Sequence, residues 1–69
     1  MKISARNTLA GTVKHLQLGD VEAEVTIELA AGVEVVATIT RTSAETLGLA
    51  VGKPAYALVK ASNVMVGVD

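Results

Sequence analysis

The chain has 69 residues, a formal net charge of −1, no cysteine, one histidine and a single aromatic side chain, Tyr56. That excludes disulfides and thiolate metal sites, and it leaves too few ligands for a structural zinc or copper site. It also excludes the basic, aromatic-rich surface that tracks a phosphate backbone and stacks bases, and no apolar run reaches the ~20 residues of a membrane helix.

A chain of this size makes one domain, residues 1–69. It buries only about 60% of the surface that its unfolded form exposes. Hydrophobic residues make up 51% of it, and they are Val, Ala, Leu and Ile, which suit strands with extended contacts. Without a disulfide or a metal, association is the remaining route to stability. A homo-oligomer is therefore expected, with interfaces that resemble a core cut in half. Met1-Lys2 leads into polar residues without the apolar stretch of a signal peptide, so the cytoplasm is the expected location.

Residues 3–7 read as a short polar lead-in. From Thr8 the apolar side carries Leu9, Gly11 and Val13; then the phase slips, because Leu16 and Leu18 fall on even numbers. A one-residue slip inside a strand predicts a bulge near Lys14-His15. Gly19-Asp20 reads as a turn. Residues 20–29 alternate strictly, with Val21, Ala23, Val25, Ile27 and Leu29 against Asp20, Glu22, Glu24, Thr26 and Glu28, the mark of a half-buried strand. Ala30-Ala31-Gly32 is a hairpin connection. Val33 to Arg41 alternates again, except that Val36 falls on the polar side, which predicts a covering neighbour there.

The period then changes. Thr42 with Glu45 three residues on fits a capping box, and Gly48 is a natural stop, so a helix of about two turns is expected. Gly52-Lys53-Pro54 is a turn, with Pro54 at a strand start. Ala55 to Val59 is apolar on both faces, as in a strand buried on both sides. Val64, Val66 and Val68 alternate with Met65 and Gly67 in a last edge strand. Five short strands with one helix between the third and fourth predict an all-β, OB-like barrel.

Two stretches stand outside this apolar pattern. Ser4-Ala5-Arg6-Asn7 and Lys60-Ala61-Ser62-Asn63 each combine one cation, one small hydroxyl residue and one Asn, spaced by Ala. Taken singly, each reads as a solvated charge or a polar turn. Taken together, they are expected to meet in space and bind a small oxyanion. His15 reads as an exposed strand residue, and Glu22, Glu24 and Glu28 as a solvated face.

Ser4-Ala5-Arg6-Asn7, Leu9-x-Gly11-x-Val13, Val21-x-Ala23-Glu24-Val25, Ile39-Thr40, Ser43, Leu47-Gly48-Leu49-x-x-Gly52 and Val59-Lys60-Ala61-Ser62-x-Val64-Met65 together resemble the molbindins. These are small cytoplasmic molybdate- and tungstate-binding proteins made of one TOBE-type domain. The resemblance implies an OB-like barrel, hexamers built as a trimer of dimers, and oxyanion sites between subunits. It maps Ser4, Arg6, Lys60, Ala61 and Ser62 onto the anion-binding motif, with Ala5 and Asn7 matching its pattern. It also implies a second class of site, for which Lys60 and the Gly19-Asp20-Val21 turn are candidates. No cofactor and no chemistry are implied; the ligand is molybdate or tungstate, stored and buffered in the cytoplasm.

The residue types suit that ligand. Molybdate is a tetrahedral dianion with acceptors only, so its site needs N–H and O–H donors, positive charge and no carboxylate. Arg6 offers a fork of donors, Lys60 a compact charge, and Ser4 and Ser62 hydroxyls. The competing classes are a nucleic-acid-binding OB module, disfavoured by the lack of aromatics, and a non-catalytic assembly domain of the same fold. An enzyme is ranked low because no nucleophile–base pair, metal cluster or phosphate loop is visible.

Overall fold

A computed structural model describes all 69 residues. The elements are β1 (Asn7–Leu18), β2 (Glu22–Ala30), β3 (Val33–Thr40), α1 (Arg41–Thr46), β4 (Pro54–Val59) and a 3-10 turn at Ala61–Asn63. The strands form one antiparallel sheet in the order β3-β2-β1-β4. It is a curled half-barrel with one short helix.

The alternation in β2 decides the core. Ala23, Val25 and Ile27 point to the concave side and are buried, and Val13, Val25, Ile27 and Ala57 form the central cluster. The expected bulge is present. Val13 faces Ile27 and His15 faces Thr26, so Lys14 is the extra residue. Because side chains alternate with period 2, this insertion returns Leu16 to the same side as Val13, where it packs against the cluster. The tight turn after β2 has Gly32 at φ 79°, a conformation a side chain disfavours.

β1 serves two neighbours. Residues from Asn7 to Thr12 pair with β4, and residues from Thr12 to Leu18 pair with β2, so that Thr12 stands opposite both Pro54 and Glu28. At the changeover the sheet folds on itself: a Cβ added at Gly11 would lie 2.5 Å from the Glu28 carbonyl oxygen. Pro54 begins β4, as its missing N–H requires.

The helix lies where the sequence indicates, but its cap does not. Thr40 is the N-cap, its Oγ1 accepting from the Ser43 N–H at 3.0 Å, and Thr42 sits inside the first turn. Thr40 ends β3 with extended backbone (φ −72°, ψ 150°), the conformation an N-cap needs, whereas Thr42 is already helical. The C-terminus closes as a Schellman motif, with Leu49 N–H to Ala44 O and Gly48 N–H to Glu45 O, and Gly48 at φ 65°. Arg41 ties the helix start to the β1–β2 turn, donating from its backbone to Val21 O and from Nη1 to Gly19 O.

Three expectations do not hold within one chain. There are four strands, not five: residues 64–68 join no ladder. β4 is an edge strand with one covered face, Tyr56 and Leu58 being exposed. Val36 is 60% exposed rather than covered. All three leave apolar side chains exposed on the single chain. Only 7 of 69 residues are buried, and the accessible area is 5386 Å², against about 4,100 Å² for a folded monomer of this mass. The excess is roughly 1,300 Å².

Candidate oxyanion-binding site

The β1–β4 ladder determines where the two polar segments go. Asn7 is opposite Val59 in the last register pair. The strands are antiparallel, so Arg6 enters the ladder where Lys60 leaves it. Ser4, Ala5, Arg6 and Asn7 are thereby brought to the same end of the sheet as Lys60, Ala61 and Ser62. The Asn7 carboxamide closes this end, Nδ2 donating to the Val59 carbonyl oxygen at 3.1 Å.

After Lys60 the backbone winds into one tight turn, held by Asn63 N–H to Lys60 O at 2.8 Å and Val64 N–H to Ala61 O at 3.3 Å. The N–H groups of Ala61 and Ser62 precede these bonds and have no acceptor within the turn. Ser4, Arg6, Lys60, Ala61 and Ser62 are all exposed, and Ala5 and Asn7 are half-buried.

The charge around these residues is one-sided. The ion pairs of the chain are Lys14 with Glu28 and Glu34, and Arg41 with Glu45. Arg6 and Lys60 take part in none. No carboxylate occurs before Asp20, nor between Glu45 and Asp69, whereas Asp20, Glu22, Glu24, Glu28, Glu34 and Glu45 all fall between residues 20 and 45. β1 and β4 with their flanks thus carry Lys2, Arg6, Lys14, Lys53 and Lys60. The near-zero net charge hides this segregation, which a running tally along the chain would reveal. Its effect is that neither polar segment carries a carboxylate of its own, and Arg6 and Lys60 form no ion pair.

Lys14 is held apart from this end, on the outer face. The bulge aims its Nζ across β2 to Glu34 on β3 at 2.6 Å and to Glu28 at 3.3 Å. The hydrogen bond to Glu34, and then that to Glu28, raises the Lys14 pKa; the same Lys14 bond lowers that of Glu34. The Gly19-Asp20-Val21 turn lies at the far end of β1 from Lys60, so one copy cannot combine the two in a single site. His15 is exposed at the bulge, and no group of three or more His, Cys, Asp or Glu side chains converges on a metal position. Tyr56 lines an open apolar groove of about 340 Å³ together with Val25, Ile27, Ile39, Leu47 and Leu49.

A curled OB-like sheet with a carboxylate-free cluster of donors at one end defines a small binding domain. The chain belongs to the TOBE domain family, whose model matches residues 3–66. It is 46% identical over its full length, and over the full length of the relative, to a probable molybdenum-pterin-binding protein of Haemophilus influenzae. It is 55% identical over 65 residues to the molybdenum transport protein ModE of Azotobacter vinelandii, of which it spans 24%. Among solved structures, a molybdate-binding protein from Sporomusa ovata superposes with a TM-score of 0.90 at 43% identity, covering 99% of this chain and 100% of that one. The cytoplasmic molybdate-binding protein ModG, with molybdate bound, gives 0.93 at 46% identity, covering all of this chain and 49% of that one.

Proposed function

We propose that this protein binds molybdate, and tungstate as its heavier congener of nearly the same size, at the shared end of β1 and β4, and that it stores and buffers the oxyanion in the cytoplasm without chemical change. The observation that carries the reading is the Asn7–Val59 register pair, which sets Arg6 and Lys60 on adjoining chain ends free of carboxylates. Ser4, Arg6, Lys60 and Ser62 donate from side chains, and Ala5, Ala61 and Ser62 from backbone N–H groups. Charge-assisted bonds of this kind are about twice as strong as neutral ones. The full-length relatives and solved structures named for molybdate or molybdenum support the ligand. No helix is long and apolar enough to cross a membrane.

The ligand is the free oxyanion rather than a pterin ring. The one aromatic, Tyr56, lies opposite Ala10 in mid-ladder and offers no stacking surface beside Lys60.

Copies of the chain associate, as a trimer of dimers, and complete the site. Met65, Val66 and Val68 are more than 90% exposed and supply the apolar strand that the groove beside Tyr56 lacks. Burial between copies lowers the local dielectric and strengthens each anion contact. Bound anion then stabilises the assembly by linkage.

Calorimetric titration with molybdate, with sulfate as competitor, tests the ligand, and sedimentation tests the assembly. Tight binding that excess sulfate does not abolish supports the reading. No heat and no shift in melting temperature would leave an assembly domain as the better account.

A further inference from the structure

Asn7 differs from the other polar residues at this end in being already engaged. Its Nδ2 donates to the Val59 carbonyl oxygen across 52 positions of sequence, and the pair is partly buried. The remaining groups of its carboxamide are one N–H proton and the Oδ1 acceptor. Beside a dianion the proton attracts and the oxygen repels, so as a ligand Asn7 is close to neutral.

As a clasp it does more. Asn7 and Val59 are the last residues in register. Immediately beyond them stand Arg6 and Lys60, two cations that repel each other when no anion lies between them. Chain ends under such repulsion fray, because terminal pairs open at low free energy.

We propose that Asn7 is a positioning residue. Its carboxamide fastens the start of β1 to the end of β4 and holds the Arg6 and Lys60 segments at the separation that one tetrahedral oxyanion spans. This rests on the oxyanion reading above. It removes Asn7 from the direct ligands and gives the motif's fourth residue a task of its own.

The test uses the full chain and sodium molybdate. Affinity is measured calorimetrically for the parent, Asn7→Ala, Lys60→Ala and the double variant. Asn7→Ala is expected to weaken binding about tenfold, the scale of one lost hydrogen bond. In the Lys60→Ala background the further loss should shrink to under about twofold, since no second cation remains to be positioned. A parent-like affinity for Asn7→Ala overturns the proposal, as does an equal loss in both backgrounds, which marks an independent ligand.

The Asn7 Nδ2 protons of the parent, followed by NMR exchange, give a readout that needs no variant. Protection that is the same with and without molybdate is expected. Release of the bond to Val59 on adding molybdate overturns the clasp. A parent that binds no molybdate sinks the function itself, an outcome distinct from the others and visible before any substitution is made.

Discussion

Gly11 of β1 and Glu28 of β2 approach so closely that a Cβ at position 11 would lie 2.5 Å from the Glu28 carbonyl oxygen and 2.7 Å from Ile27 Cγ2. The nearer atom is backbone and cannot swing aside. Gly11→Ala should therefore destabilise the fold by about 1–3 kcal/mol, the usual range for overpacking. Thermal melting checks this, and an unchanged midpoint would mean that the two strands part readily.

Arg6→Ala and Lys60→Ala should each weaken molybdate binding by about ten- to a hundredfold, the range for one charge-assisted bond. The fold should persist, because both side chains are exposed and unpaired. Titration calorimetry beside circular dichroism separates the two effects. Parent-like binding by both variants would remove these residues from the site.

The two candidate caps make opposite demands. Thr40→Ala should cost about 1 kcal/mol, since its Oγ1 accepts from Ser43 N–H. Thr42→Ala should be neutral or slightly stabilising, because Ala is the better helix former inside a turn. The ranking of the two melting curves decides between them.

The Lys14–Glu34 pair gives a pH signature. Glu34 has its pKa lowered, first by the hydrogen bond from Lys14. Its contribution is present above the ordinary carboxylate range and fades as the pH falls through the depressed value. Lys14 has its pKa raised, first by Glu34. That contribution is complete below the ordinary lysine range and is lost as the pH rises through the raised value. Lys14→Met should flatten both limbs of a plot of melting temperature against pH. The change should be small and should shrink with salt, because the pair is exposed.

Much of this was legible in the residues. The parity change from Val13 to Leu16 predicted the bulge, the alternation from Val21 to Leu29 predicted β2, and Pro54 marked the start of β4. The likeness of the segments around Arg6 and Lys60 anticipated that the ladder brings them together. Three other features misled for one reason. Apolar spacing at Val64–Val68, at Val36 and around Leu58 reports side chains that can be buried, and it does not say that this chain buries them. The misplaced cap has another cause. Thr40 and Thr42 are chemically alike, and only the backbone at the end of β3 shows which of them precedes the first turn. The charge segregation was in plain sight but vanished into a net value of −1.

The division of β1 between two partners also sets an order of events in folding. Its second half pairs across a short turn, Leu18 facing Ala23, and β2 pairs with β3 across another. Its first half must wait for β4, with Asn7 joining Val59 across 52 positions. Short loops close before long ones. As the chain folds, the three-strand meander can form while β4 is still unpaired, and the end bearing Arg6 stays open until Val59 joins Asn7. The meander therefore takes shape first, and the end that carries Arg6 and Lys60 is the last part of the sheet to close.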